Sequence, residues 1–260
     1  MTVDAPPYPP GRNLLAGKTV LVTAAAGTGI GFATARRCLE EGATVLVSDV
    51  HERRLGEARQ TLAALDLGPV HAQVCDVTQQ AQVDALVASA LDRLGRIDVL
   101  INNAGLGGTA RVVDMSDAEW SRVLDVSLTS VLRMCRGVLP HMYTRRQGAI
   151  VNNASVLGWR AQAGQSHYAA AKAGVMAFTR CAALESAEYG VRVNAVAPSI
   201  AMHAFLAKTT TPELLSDLSA REAFGRAAET WEVANAMIFL ASDLSSYMTG
   251  EVLSVSSQHP

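Results

Sequence analysis

The sequence has little net charge, no long hydrophobic run and no cluster of metal-binding side chains. Its formal net charge is −2, so electrostatics gives no reason to expect nucleic acid or an anionic membrane as a partner. No apolar run is long enough to cross a bilayer. The histidines form no cluster and no Cys-x-x-Cys pair occurs, so we expect no metal site. We expect a cytoplasmic protein with buried free thiols at Cys38, Cys75, Cys135 and Cys181.

Strand-like apolar runs alternate with helix-like stretches along the 260 residues, which are enough to bury one large core. This alternation favours parallel strands joined by right-handed crossovers. It predicts an α/β fold with a doubly wound, seven-stranded parallel sheet and helices on both faces. The predicted strands are Val20–Val22, Val45–Val47, Val70–Val74, Val99–Ile101, Ala149–Asn152, Arg192–Val196 and Val252–Val255. The predicted helices are Gly31–Glu41, Glu52–Leu65, Gln79–Leu94, Asp117–Tyr143, His167–Tyr189 and Thr230–Ala241.

Two segments stand outside this alternation. Residues 1–13 are rich in proline and lack a signal-peptide core, so we predict a flexible arm that is disordered or packs on a neighbouring subunit. Residues 14–260 then form a single catalytic domain. Within it, residues 198–225 are irregular and apolar, which predicts a substrate lid or a small packed helix pair.

A glycine-rich loop joins the first predicted strand to the first predicted helix. In this context glycines let the backbone approach a dinucleotide pyrophosphate at a helix N-terminus. Asp49 ends the second strand, where a carboxylate can bind the adenosine ribose hydroxyls and repel a 2′-phosphate. The loop has no Arg or Lys for that phosphate, so NAD(H) is favoured over NADP(H). The expected loop contacts are Gly27, Thr28, Gly29, Ile30 and Gly31.

Tyr168 and Lys172 are four residues apart, with Ser155 upstream. On a helix the tyrosine and lysine share one face, and a nearby ammonium is expected to lower the pKa of the phenol. Such a phenol can exchange a proton with a carbinol or carbonyl oxygen, and the Ser155 hydroxyl can bind the same oxygen. Alone, this pair is also typical of an ordinary surface helix.

Several motifs occur together in a fixed order, and with them the chain resembles the short-chain dehydrogenase/reductase family, including its 3-oxoacyl-thioester reductases and hydroxysteroid dehydrogenases. The resemblance implies a single-domain Rossmann fold, a nicotinamide cofactor and reversible hydride transfer at an alcohol or ketone carbon. It assigns general acid/base work to Tyr168, cofactor ribose binding to Lys172, and a cofactor contact to Tyr168 as well. The motifs are Asp76-Val77, Asn102-Asn-Ala-Gly105, Ser155, Tyr168-x-x-x-Lys172, Arg192-Val-Asn-Ala-Val-Ala-Pro198 and Leu240-Ala-Ser-Asp243.

The chain departs from the family pattern at several places, which include Pro198-Ser199 after the sixth strand and Val255-Ser-Ser-Gln258 near the C-terminus. Three alanines follow Thr23, so the glycine loop is one residue longer, and Gly27 is expected to supply its tight turn. Ser127 replaces the proton-relay asparagine; it either holds a water in the proton path or relieves crowding in a helix. The threonine that touches the nicotinamide amide aligns with His203.

The resemblance also places the remaining ligand contacts. Trp159 predicts an apolar, ring-like or chain-like substrate, and Arg160 either binds a carboxylate or coenzyme A phosphate or faces solvent. The further cofactor contacts that it implies are Asp76, Val77, Asn103, Ala104, Gly105, Pro198, Ile200 and Ala201. The expected substrate contacts are Trp159, Arg160, Met202, Phe205 and Leu206.

Three functions are compatible with these residues. The first is an NAD(H)-dependent dehydrogenase of a secondary alcohol on a bulky apolar substrate, either steroid-derived or hydroxyacyl. The second is an NADPH-dependent reductase of 3-oxoacyl thioesters. The third is a non-catalytic module that senses dinucleotides. The resemblance further implies a homo-oligomer, either tetramer or dimer, acting on a small molecule.

Overall fold

The structure is a computed structural model that describes residues 3–203, residue 206 and residues 211–257. Its strands are β1 (Thr19–Val22), β2 (Thr44–Asp49), β3 (Val70–Val74), β4 (Val99–Asn102), β5 (Gly148–Asn153), β6 (Val191–Pro198), β7 (Ala201–Met202), β8 (Ala228–Glu229) and β9 (Val252–Val255). Its helices are α1 (Ile30–Glu40), α2 (Glu52–Ala63), α3 (Gln80–Leu94), α4 (Asp117–Leu124), α5 (Ser130–Arg145), α6 (Ser166–Ala187), α7 (Pro212–Ala220) and α8 (Thr230–Ala241).

Seven strands form one parallel sheet in the order β3-β2-β1-β4-β5-β6-β9. The central strands are buried along their whole length because helices cover both faces. One core cluster joins the sheet to α3, α5 and α6, and the second joins it to α1, α2 and α8. The predicted α/β fold and its seven-stranded parallel sheet are confirmed.

The strand order reverses beside β1, which pairs with β2 on one side and with β4 on the other. In open parallel sheets, ligands bind at the carboxyl ends of the strands near such a reversal. The glycine loop follows β1, Asp49 ends β2, Asn103 follows β4 and Ser155 follows β5. The fold therefore brings the predicted cofactor and catalytic residues to one edge of the sheet.

The stretch predicted as one helix from Asp117 to Tyr143 is divided in the structure. A π-helical turn at Asp125–Thr129 separates α4 from α5, so an extra residue enters the helix at Ser127. The segment predicted as irregular contains β7 and α7. One thiol prediction was wrong: Cys181 is exposed on α6, because the buried face of that helix is formed by other residues.

Residues 3–13 run without regular structure along the domain of their own chain. Tyr8 Oη donates a hydrogen bond to Glu40 Oε2 at 2.6 Å, and its ring meets Trp231 edge-on with centroids 5.4 Å apart. The Val3 amide donates to the Phe224 carbonyl at 2.9 Å. Flexibility of this arm stays a prediction, but the contacts described are to α1, α8 and the segment after α7, all within the same chain.

Candidate active site

Tyr168 and Lys172 lie one turn apart at the start of α6, as their spacing predicts. Lys172 is only 2% exposed, and its Nζ lies 5.5 Å from the centroid of the Tyr168 ring. That Nζ donates a hydrogen bond to the backbone oxygen of Asn153 at 2.6 Å. Ser155 follows β5 in extended conformation, and its hydroxyl lies near enough to Tyr168 to act on the pKa of the phenol. The structure thus brings the three predicted catalytic side chains together.

Burial dominates the electrostatics of this cluster. It raises the pKa of Tyr168 above its ordinary value, while the hydrogen bond with Ser155 acts in the opposite direction. Burial also lowers the pKa of Lys172 from 10.5 to about 8. The expected lowering of the tyrosine pKa by the ammonium is therefore wrong for this structure, because both groups are removed from water and lysine charge is itself disfavoured.

Ser127 lies in the π-helical turn and is fully buried. Its hydroxyl accepts a hydrogen bond from the Leu106 amide and donates one to the Leu106 carbonyl, both at 2.9 Å. The hydroxyl thus points to the loop after β4, and its single proton is donated to the Leu106 carbonyl. A water held by the Ser127 carbonyl stays a prediction.

The glycine loop has the features needed for an approaching phosphate. Gly27 adopts φ +86°, which an L-residue rarely takes, and the N-cap of α1 is Gly29, which has no side chain to cap the helix. A Cβ on Gly31 would lie 2.4 Å from the Ala24 oxygen, so only glycine fits there. The uncapped amides of α1 therefore fit an anion such as a pyrophosphate. Gly27 and Thr28 are exposed, and Gly29 and Ile30 are half-buried.

Asp49 lies half-buried at the end of β2, against the glycine loop. Its Oδ2 accepts the Ala26 amide at 3.2 Å and its Oδ1 accepts the His51 amide at 3.0 Å. Burial raises its pKa, while the backbone amides of Ala26 and Val50 and the charge of Arg54 favour the charged form. Each carboxylate oxygen keeps a lone pair that a ribose hydroxyl could use.

Asp76 and Val77 follow β3 at the same edge of the sheet. Asp76 Oδ1 accepts both the amide and the hydroxyl of Thr78, at 2.9 and 2.7 Å. Val77 is buried in the core cluster that contains α3. Asp76 therefore shapes the turn into α3, and its predicted contact with the cofactor stays a prediction.

The loop after β4 covers the lysine and the tyrosine. A Cβ on Gly105 would lie 3.3 Å from Lys172 Nζ, and one on Gly107 would lie 3.9 Å from Tyr168 Cδ2. Ala104 is buried beneath this loop. The absence of a side chain at Gly105 therefore lets this loop pass close to the Lys172 amine.

Asn103 ties that loop to the glycine loop and involves a residue that the sequence analysis missed. The side-chain Nδ2 of Asn103 donates to the backbone oxygen of Ala24 at 3.0 Å, and Asn153 Nδ2 donates to Asn103 Oδ1 at 2.9 Å. Asn153 also provides the backbone oxygen that Lys172 binds. The sequence did contain a signal for Asn153, because this polar residue ends the buried strand β5 at the edge of the sheet where ligands bind.

The predicted substrate residues lie on the side of β5 and β6. Trp159 is 48% exposed and Arg160 is half-buried just after Ser155. Met202 is exposed at the end of β7, and Leu206 is half-buried. Phe205 lies outside the described residues.

Among the predicted cofactor contacts after β6, Pro198 and Ala201 are buried and Ile200 is half-buried. The His203 ring lies 4.0 Å from the position that a Cβ on Gly29 would occupy, and its Nδ1 accepts the Leu206 amide at 3.3 Å. Burial lowers the pKa of His203. This segment therefore reaches the start of α1, where the cofactor contacts were predicted.

A cavity of about 540 Å³ lies at the opposite, amino-terminal edge of the sheet. The residues that precede β1, β4 and β5 line it, namely Lys18, Asp98 and Gln147, and none of the predicted site residues does. Within the described ranges, no group of three or more His, Cys, Asp or Glu side chains could hold a metal. Over the same residues, no helix is long and apolar enough to span a membrane.

Comparisons with known proteins agree with this geometry. Residues 24–257 match the family model described as enoyl-(acyl carrier protein) reductase. The chain is 67% identical over 257 residues to the (5R,7aS)-5-hydroxy-7a-methyl-1-oxo-2,3,5,6,7,7a-hexahydro-1H-indene-carboxyl-CoA reductase of Mycobacterium tuberculosis, covering 98% of both chains. It is 40% identical over 241 residues to a 3-oxoacyl-acyl-carrier-protein reductase of Thermotoga maritima, covering 93% of this chain and 97% of the relative.

A solved structure gives the same assignment. The crystal structure of a short chain dehydrogenase from Mycobacterium smegmatis matches with a TM-score of 0.89 and 60% identity, covering 99% of each chain. These relatives are named as reductases and a dehydrogenase, so they do not support a non-catalytic sensing module. The chain belongs to the short-chain dehydrogenase/reductase family and is an oxidoreductase.

Proposed function

We propose that this protein is an NAD(H)-dependent oxidoreductase that interconverts a secondary alcohol and a ketone on a ring-bearing coenzyme A thioester. The observation that carries the proposal is the grouping of Ser155, Tyr168 and the buried Lys172 at the sheet edge that also holds the glycine loop. This arrangement would supply a proton donor next to the proposed dinucleotide-binding loop.

Tyr168 is the proposed general acid and base. Because burial raises its pKa, the phenol keeps its proton at neutral pH and can donate it to a ketone oxygen. The Ser155 hydroxyl, near Tyr168, would hydrogen-bond the same oxygen and stabilise developing charge. Lys172, with its pKa near 8, would bind a ribose hydroxyl of the cofactor.

NAD(H) is the proposed cofactor, and bound at this edge it would deliver or accept the hydride. Its pyrophosphate would lie at the N-terminus of α1, beside Gly29 and Gly31. Asp49 would accept the adenosine ribose hydroxyls, and its charge would repel a 2′-phosphate. No Lys or Arg lies between Ala24 and Thr28 to offset that repulsion.

A ring-bearing thioester is the proposed substrate class. The Mycobacterium tuberculosis relative is named for a hydroxylated, oxidised indene-carboxyl-CoA, a fused bicyclic thioester. In this chain the exposed indole of Trp159 offers an apolar surface near Ser155 for such rings. Arg160, half-buried next to it, would bind a coenzyme A phosphate.

The second candidate is an NADPH-dependent 3-oxoacyl-thioester reductase. It is favoured by the 40% identity to the Thermotoga maritima enzyme, whose name describes that reaction. The two candidates share the catalytic cluster and differ in cofactor and substrate.

An assay of reaction rates with both cofactors tests the proposal. We would measure kcat/KM for NAD(H) and NADP(H) with a bicyclic hydroxyacyl-CoA, its free acid and acetoacetyl-CoA. The expected result is NADH formation from the ring thioester, a clear preference for NAD, and weaker activity on the free acid. Activity confined to NADPH and acetoacetyl-CoA would establish the second candidate instead.

A further inference from the structure

Two asparagine pairs connect β4 to β5 at the carboxyl edge, one on each face of the sheet. On the face of α6, Asn102 Nδ2 donates to Asn152 Oδ1, and Asn152 Nδ2 donates to Thr179 Oγ1, both at 2.9 Å. On the face of the glycine loop, Asn153 Nδ2 donates to Asn103 Oδ1, also at 2.9 Å. The second pair alone reaches the predicted cofactor site.

The direction of each hydrogen bond in the second pair is fixed by its neighbours. Asn103 Nδ2 lies 3.0 Å from the Ala24 oxygen and 3.3 Å from the Thr23 oxygen. Backbone oxygens only accept, so Asn103 Oδ1 is the end that faces Asn153. Asn153 must therefore donate through Nδ2, which leaves its Oδ1 buried and without a partner among the described residues.

This unpaired oxygen shows that the Asn153 side chain is poorly satisfied as a structural element. A buried acceptor without a donor is unfavourable, so the hydrogen bond to Asn103 is offset and the net gain in fold stability is small. In contrast, both ends of the Asn152 amide are paired. Asn153 thus carries an unpaired buried oxygen that Asn152 does not, although Asn102 Oδ1 in the first pair is also buried without a partner among the described residues.

The effect of Asn153 is directed at the glycine loop. Asn103 holds the carbonyl of Ala24, which has φ +50° and begins the loop that leads to α1. By holding the side-chain amide of Asn103 in place, Asn153 therefore also holds the strained backbone at Ala24. The backbone oxygen of Asn153, rather than its side chain, binds Lys172 Nζ.

We propose that Asn153 is a positioning residue for dinucleotide binding, which acts through Asn103 on the glycine loop. The inference rests on the proposed function for its ligand. Because the side chain serves the loop and the backbone serves Lys172, replacing the side chain affects cofactor affinity and leaves turnover nearly intact.

The test compares Asn153→Leu with its matched control on the opposite face, Asn152→Leu. For Asn153→Leu we expect the Kd and KM for NAD to rise about fivefold to tenfold, the loss of one well-placed hydrogen bond, with kcat within about twofold. Its Tm changes little, because the substitution removes the unpaired Asn153 Oδ1 and leaves Asn103 Oδ1 unpaired instead. Asn152→Leu shows the reverse pattern: Tm falls by several degrees while the Kd for NAD stays within about twofold.

A second measurement works without any cofactor. Amide hydrogen exchange in the ligand-free protein should be faster over residues 24–29 in Asn153→Leu and unchanged there in Asn152→Leu. In an Asn103→Ala background, Asn153→Leu should add little further effect on the Kd, since both act through one contact.

The outcomes separate the two proposals. If the wild-type protein binds neither dinucleotide, the proposed function fails, and loop exchange alone then decides the role of Asn153. Unchanged exchange over residues 24–29 in Asn153→Leu would overturn the inference. So would a fall in Tm and kcat with an unaltered Kd for NAD, because that pattern describes a merely structural side chain.

Discussion

Two halves of the candidate site differ in what acts on their polar groups. In the cofactor half, formed by residues 23–31, Asp49 and Asn103, loops hold one another; Thr23 Oγ1, for example, accepts the amides of Asn103 and Ala104 at 3.0 and 3.2 Å. In the catalytic half, Ser155, Tyr168 and Lys172, burial opposes charge on the phenol and the amine.

This difference indicates that the two halves are organised for different tasks. The cofactor half fixes the shape of a loop with hydrogen bonds that also stabilise the fold. The catalytic half keeps titratable groups away from water, where they are costly for stability and useful for proton transfer. Substitutions in the two halves should therefore separate binding from turnover, and stability from activity.

The largest effect is expected from Tyr168→Phe. Loss of the phenolic proton donor should lower kcat by about 10²–10⁴-fold, while the Kd for NAD stays nearly unchanged. Steady-state kinetics and calorimetric binding would measure both. Tyr143→Phe is the matched control, because the Tyr143 hydroxyl pairs with Ser186 away from the site. Wild-type turnover in Tyr168→Phe would remove the proposed chemistry.

Lys172→Met should separate stability from activity. Turnover should fall by roughly 10²-fold or more, since the lysine belongs to the catalytic cluster. Because burial lowers the lysine pKa from 10.5 to about 8, the charged form costs folding stability below pH 8. The variant should therefore melt higher than wild type at pH 7, and that advantage should shrink between pH 8 and 10.5.

Melting curves across this pH range provide the measurement. Lys18→Met is the control, since Lys18 forms an ion pair with the exposed Asp243 at 3.6 Å. A variant at Lys172 that melts below wild type at pH 7 would show that the hydrogen bond to Asn153 outweighs desolvation.

Asp49→Asn should act on the cofactor half alone. It removes the charge that would repel a 2′-phosphate and keeps the shape of the side chain, so the kcat/KM ratio of NAD over NADP should fall at least about tenfold. Glu57→Gln makes the same charge change on an exposed carboxylate of α2 and should leave the ratio unaltered. An unchanged ratio in Asp49→Asn would assign cofactor choice to other residues.

The smallest effect is expected from Gly27→Ala. Its φ of +86° is strained for alanine although the site has open space, so the free energy of unfolding should fall by about 1 kcal/mol. Gly56→Ala, in the interior of α2 with equally open space, should raise it by a similar amount. Equal signs in denaturant titrations of the two variants would contradict the assigned loop conformation.

The sequence was sufficient for features set by local pattern. Apolar runs located the strands of the main sheet, and the spacing of Tyr168 and Lys172 placed both correctly on α6. The sequence was insufficient to predict contacts between segments that are far apart along the chain. Ser127 bonds Leu106 across 21 residues and Asn153 bonds Asn103 across 50, and neither partner is visible from spacing. The pKa direction of Tyr168 depends on burial, which local pattern does not specify.

Isotope transfer tests the central claim most directly. The enzyme would be given a bicyclic keto-acyl-CoA with NADH carrying deuterium at the transferable C4 position of the nicotinamide. Mass spectrometry should find deuterium on the carbinol carbon of the product with wild-type protein, and almost none with Tyr168→Phe. Product without deuterium, or equal transfer by the two proteins, would contradict hydride transfer assisted by Tyr168.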